Sequence, residues 1–142
     1  MKYFISYAWT GEDQKVVTQR MATVRDLLNK HNVAHYINLF DERTKSFTHP
    51  GEFVQDAMDR IKECDAMIVV KSSARKSEGQ LMEIGAALYE KKPVSLLLHE
   101  SAADQTYIDD SLISDMVVSW NESNLKESLL ALLDELSNSN SV

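Results

Sequence analysis

The run KSSARKSEGQLMEIG, from Lys71 to Gly85, gathers most of the groups in this chain that could do chemistry. Lys71, Arg75 and Lys76 sit among Ser72, Ser73 and Ser77, directly ahead of a helical pattern. Cations, hydroxyl donors and the unpaired N–H groups at a helix start can together cradle a phosphate. A solvated loop ending in a helix cap fits the same residues, since Ser77 and Gln80 have capping-box spacing. Glu83 follows Ser77 by more than one helical turn, on a face shared with Gln80, Ala87 and Glu90. Such a face reads as the wet side of an amphipathic helix. The alternative is a carboxylate turned into a crevice, where it would stabilise or trap positive charge developing on a sugar carbon.

Which alternative holds depends on where the helix starts. Short apolar runs alternate with longer segments of helical period, which predicts a βα series. Strands are expected over Lys2 to Tyr7, Val33 to Asn38, Asp65 to Lys71, Pro93 to Leu98 and Asp115 to Trp120. The third and fourth lack alternation and read as buried on both faces. The first helix is expected from Gly11 or Glu12 to Lys30 behind a Thr10 cap, with Val16, Met21, Val24, Leu27 and Leu28 inward. Pro50 and Gly51 introduce the second, with a stripe of Phe53, Val54, Ala57, Met58 and Ile61. The third spans Glu78 to Glu90; Leu81, Ile84 and Leu88 are expected against the sheet, and Met82, Ala86 and Tyr89 form a second apolar strip suited to a subunit contact. The last runs from Ser123 to Leu136 with Leu125, Leu129, Leu132, Leu133 and Leu136 inward, and residues 138–142 form a frayed tail.

Right-handed crossovers then give a flavodoxin-like, doubly wound α/β sheet of order 2-1-3-4-5, a single domain over residues 1–137. Its switch point falls between the first and third strands, so ligands are expected in the crevice beyond Tyr7 and Lys71. That is where the Lys71 to Glu83 segment begins.

Bulk properties narrow the ligand. At 142 residues and 44% hydrophobic content, the chain can bury one core. A formal net charge of -7 repels a polyphosphate backbone, so nucleic acid is not an expected partner. The single cysteine, Cys64, suits a small core residue in a reducing compartment, and the start, MKYFISYAWTGED, reads as a strand rather than a cleavable leader. No apolar stretch approaches the ~20 residues that cross a bilayer. A cytoplasmic protein without membrane contact is expected. His31 and His35 are separated by a helix end and a strand start, and His49 and His99 have no ligand-like neighbours, so no metal is expected. The chain carries neither a Walker loop nor a dinucleotide glycine fingerprint, and no cofactor is implied.

SEGQLMEIGAALYEKKPVSLLL, with the opening KYFISYAWTGEDQ, resembles the nucleoside 2-deoxyribosyltransferases and the related deoxynucleoside 5′-monophosphate N-glycosidases. The resemblance covers most of residues 2 to 98. It implies an enzyme of the N-ribosyl bond acting on a nucleoside or nucleotide, with Glu83 as nucleophile or sugar-positioning carboxylate and Tyr3 as the first-strand tyrosine beside it. Ser77 matches the position six before the glutamate, a serine in the monophosphate hydrolases. With Ser72, Arg75 and Gly79 it implies a 5′-phosphorylated substrate. Ser6 and Tyr7 would line the site, and Trp9 suits either a stacking surface for a base or a rim aromatic. The family's second carboxylate has no match, because its register holds Ala57; Asp56 is one residue away, and Asp56 or Asp13 would have to protonate the leaving base. Leu81 also stands where a second glycine is common. Members of the family form oligomers, so at least a homodimer is implied, with Ser101 to Ser114 available for a neighbouring subunit.

FISYAWTGED, Asp41, HPGEFVQDAMDRI and the Ser77 to Glu83 spacing are also similar to TIR domains, whose enzymatic members cleave NAD. Gly79 stands where those domains often have tryptophan, and EIGAAL suits the deoxyribosyltransferases better. This second resemblance implies a NAD hydrolase or cyclase, or a non-catalytic assembly module.

Overall fold

Apolar side chains run consecutively through the middle of the first strand and through the third and fourth, and the chain answers with helices on both sides of the sheet. The computed structural model describes residues 1–140. Its strands are β1 (Lys2–Tyr7), β2 (Ala34–Tyr36), β3 (Ala66–Lys71), β4 (Val94–His99) and β5 (Met116–Trp120), and its helices α1 (Gln14–Lys30), α2 (Pro50–Glu63), α3 (Glu78–Tyr89) and α4 (Leu125–Asn140). The strands pair in parallel in the order β2-β1-β3-β4-β5. This is the flavodoxin-like α/β architecture that the sequence implies.

The pleat sorts the core into two layers. Tyr3 and Ile5 of β1, with Ile68 and Val70 of β3, pack against Val17, Met21, Val24 and Leu28 of α1 and Leu129 and Leu132 of α4. Phe4, Met67, Val69, Leu96 and Leu98 face the opposite side, against Ile61 of α2 and Ile84 and Ala87 of α3. Ser6 shares the parity of Phe4, so its hydroxyl points to the α3 side. Every residue of β3 and β4 is buried, as befits the middle of a parallel sheet.

Several local expectations are corrected. Asp13, not Thr10, caps α1: its carboxylate accepts from the N–H groups of Lys15 and Val16 at 3.0 and 3.2 Å. Gly11 turns the chain ahead of it with φ of 80°, and the Glu12 N–H donates to the Trp9 carbonyl at 3.1 Å. Strand β2 stops at Tyr36 because 3-10 turns at Asn38–Phe40 and Glu42–Ser46 take over the backbone. On α3 the buried seam is Gln80, Ile84 and Ala87, while Leu88 is 39% exposed. On α2 only Ile61 of the expected stripe is fully buried; Phe53 and Val54 are exposed. Helix α4 runs on to Asn140, so Asn138 to Asn140 of the expected tail are helical. Ser141 and Val142 lie outside the described residues.

Candidate active site

Strands β1 and β3 stay paired as far as Tyr7 and Val70, and three groups gather at the switch point where these strands end. Gln80 enters from α3 with a buried amide that donates to the carbonyls of Ser6 at 3.3 Å and Val70 at 3.1 Å. Those are carbonyls near the ends of the neighbours, so one side chain bridges the two strands. One turn further on, Glu83 receives the Ser6 hydroxyl at 2.8 Å on its Oε1. The face carrying Gln80, Glu83 and Ala87 therefore turns toward the sheet, so Glu83 is half-buried rather than on a wet face. Burial pushes its carboxyl up to about 7, while the Ser6 hydrogen bond favours the ionised form and pulls the other way. Tyr7 is the third group. Its hydroxyl bonds the Asn38 side-chain oxygen where β2 ends, and burial together with the Glu83 charge raises its pKa.

The basic loop is organised around an acidic residue that the sequence reading passed over. Glu12, in the loop after β1, accepts from the Ser72 hydroxyl at 3.0 Å and pairs with Arg75 at 3.4 Å. Arg75 also donates to the Thr10 carbonyl at 2.7 Å and packs on Gly11, where an added Cβ would lie 2.7 Å from its Nη1. The buried Lys71 ammonium donates to the Arg75 carbonyl, and burial, then the Arg75 charge, lower its pKa. The Ser77 hydroxyl caps α3 by accepting from the Gln80 N–H at 3.3 Å. The reciprocal half of the expected capping box is missing, because the Gln80 side chain is turned inward. Gly79 leaves open space in the first turn, with nothing within 4 Å of an added Cβ.

Two expected site residues are placed elsewhere. Tyr3 is in register with Ala66 and His35 at the amino end of the sheet, about 13 Å along the strand from Tyr7. Burial and the nearby Asp65 raise its pKa, and its ring belongs to the α1 and α4 core. Tyr7, of the same parity at the opposite end of β1, has its hydroxyl on Asn38 and feels the Glu83 charge. Asp56 is held at the β2 edge, receiving the Tyr36 hydroxyl at 3.3 Å and Arg43 at 3.4 Å. Asp41 joins the same cluster; burial acts to raise its carboxyl, but hydrogen bonds from Arg43 and Tyr36 hold it below the usual range. Asp13 is committed to its helix cap. Trp9 packs on the rim of the α1 core.

A cleft of about 300 Å³ opens beside Arg25, His35, Tyr36, Ile37, Phe40 and Asp41, with no contribution from α3. A cavity of about 40 Å³ lies between Lys71, Lys76 and Gln80 and the connection at Gln105 to Ile108. Glu83 lines neither; its Oε1 accepts from Ser6, and the loops after β1 and β3 are tied through Glu12 and Arg75.

In a doubly wound α/β sheet the switch point is where small ligands bind, and the Glu83 carboxyl stands there. A model of nucleoside 2-deoxyribosyltransferase matches residues 3–123, and the chain belongs to that family, whose chemistry is transfer or hydrolysis at the N-glycosidic bond. Among solved structures, a CMP N-glycosidase from Clostridium botulinum superposes with a TM-score of 0.68 at 22% identity, covering 96% of this chain and 99% of its own. A conserved protein from Enterococcus faecalis gives 0.64 at 14% identity, over 92% and 99%. A 2-deoxyribosyltransferase from Bacillus psychrosaccharolyticus gives 0.57 at 20% identity, over 87% and 88%. Comparison with curated proteins finds no match. The family match favours the deoxyribosyltransferase resemblance over the TIR one. No helix among the described residues is long and apolar enough to cross a membrane.

Proposed function

We propose that this protein breaks the N-glycosidic bond of a nucleoside 5′-monophosphate, with Glu83 as the group that meets the anomeric carbon. The observation that carries the reading is the Glu83 carboxyl, desolvated and oriented by the Ser6 hydroxyl at 2.8 Å where the fold places its ligands. As the bond from carbon to base nitrogen breaks, its electron pair leaves with the base, which takes up a proton, and positive charge grows on the sugar. Ionised Glu83 stabilises that charge or bonds to the carbon; water or a second base then displaces the glycosyl group and restores the carboxylate. Tyr7, held by Asn38, feels its charge from the end of β1. Asp56 is too committed to Arg43 and Tyr36 to serve as the second carboxylate.

A phosphorylated substrate is favoured by the grouping of Ser72, Arg75, Lys71 and the Ser77 cap at one helix start, together with the activity in the name of the Clostridium botulinum structure. The reading also takes the protein to be a cytoplasmic homodimer or larger assembly joined through the exposed apolar residues of α2 and α3.

The test is chromatography of released base from ribo- and deoxyribonucleoside 5′-monophosphates, their nucleosides and NAD, with and without an acceptor base. Release from monophosphates and a loss of roughly 10³-fold or more in Glu83→Gln are expected. Release only from NAD would transfer the protein to the TIR-like reading. Full activity in Glu83→Gln would remove the glycosidic mechanism.

A further inference from the structure

We infer that Glu12 is the resident counter-ion of the anion subsite, and that it sets how strongly the enzyme prefers a phosphorylated substrate. Its carboxylate holds the donors that a 5′-phosphate must take over. The inference rests on the monophosphate reading above.

Three observations converge on this residue. Glu12 reaches across the crevice mouth to Ser72 and Arg75, the hydroxyl and guanidinium that the basic loop offers to an anion. Lys71, only 6% exposed, has the Arg75 carbonyl as its hydrogen-bond acceptor, and the Glu12 charge favours its ammonium form. Arg20 of α1, whose guanidinium lies 5.1 Å from the Trp120 ring, feels the charges of both Glu12 and Glu122. Glu12 thus pairs with Arg75, and its charge reaches Lys71 and Arg20, in a protein whose formal net charge is -7. The Ser72 and Arg75 donors are held by this one carboxylate, and leaving a partly buried cation without a partner is costly. A phosphate dianion brings more charge and more acceptor oxygens to the same donors.

Glu12 and a phosphate cannot both hold Ser72 and Arg75. Binding therefore requires the Glu12 carboxylate to leave, and the observed affinity is reduced by the fraction of molecules in which it occupies the cradle. Its position in a loop next to Gly11, with its side chain 21% exposed, gives it a route into water. An unphosphorylated nucleoside does not ask for this exchange and should be indifferent to it.

The experiment compares wild type with Glu12→Gln, which keeps the shape and removes the charge, and with Glu12→Ala as a second variant. KM is measured for the best-cleaved nucleoside 5′-monophosphate and for its nucleoside, and inorganic phosphate is titrated as an inhibitor. Expected is a fall of roughly 3- to 10-fold in the monophosphate KM and the phosphate inhibition constant for Glu12→Gln, larger than any change in the nucleoside KM. If the monophosphate KM stays constant or rises in both variants, Glu12 is only a brace for Arg75 and the inference is overturned. If wild type shows neither a preference for the phosphorylated substrate nor inhibition by phosphate, the monophosphate reading fails, and this inference with it.

Discussion

At Glu83, burial and the Ser6 hydrogen bond act in opposite directions, and burial is the larger. Raising the carboxyl from 4.5 to about 7 has consequences for rate and for stability. If ionised Glu83 meets the anomeric carbon, kcat/KM should climb with pH and level off above about 7. In Ser6→Ala the bond favouring the carboxylate is gone, so the rising limb should move to higher pH, whereas a purely structural serine would lower the plateau without moving the limb. Stability runs the other way. Below pH 4.5 the carboxyl is neutral in folded and unfolded chains alike, and its burial is at its least costly. As pH rises from there to about 7 the unfolded chain ionises first, so stability falls, and the loss levels off once the folded carboxylate ionises too. The full effect is at most about 3 kcal/mol. Urea denaturation of Glu83→Gln should show a gain over wild type that is small at pH 5 and grows toward pH 8. Parallel stability curves would show that the carboxyl is not desolvated.

Among the elements, the end of β1 and the start of α3 are joined by Gln80, the single polar residue on a seam that otherwise buries Ile84 and Ala87. Gln80→Leu would keep the volume but orphan the Ser6 and Val70 carbonyls. A cost of about 1–3 kcal/mol is expected by denaturation, with activity falling further than stability alone explains because Ser6 orients Glu83. Such links mark where sequence reasoning stops. The five strands were legible because each is an apolar run between helical periods, and the order followed from crossover handedness. The β2 boundary was not, since Asp41 and its hydrogen bonds to Arg43 favour turns over a continued edge strand. Glu83 was found from its position at the switch point, yet the pattern of its own helix pointed it to water, because a buried glutamine looks polar in sequence. Tyr3 and Tyr7 have the same parity on one strand, so periodicity could not tell which end of the sheet matters. Glu12, Gln80 and Asn38 escaped because their partners come from other elements; Glu12 meets Ser72 across 60 positions. A glycine turn followed by an acid, facing a basic loop at the same sheet edge, is the signal that would have found Glu12.

For the whole molecule, the core accounts for the two layers but leaves apolar surface on α2 and α3, which pack side by side. Tyr89 is 86% exposed, Met82 48%, Phe53 42% and Val54 38%. Tyr107 and Leu112, in the connection between β4 and β5, are also exposed. Burying a side chain of this size contributes roughly 1.5–3 kcal/mol, so a few such residues meeting a second copy can hold a dimer against the freedom lost on association. The net charge of -7 opposes close approach of two copies, a repulsion that salt screens over about 10 Å at 0.1 M. Association through an apolar face should therefore strengthen as salt is added, whereas association through opposite charges should weaken. Light scattering at 50 and 500 mM salt is expected to show at least a dimer, tighter at the higher concentration. Met82→Glu combined with Tyr89→Glu should shift the protein to monomer by roughly 10-fold or more in dissociation constant while leaving its unfolding transition little changed, since both side chains lie outside the core. Wild type that is monomeric at every concentration would mean that these helices face only water.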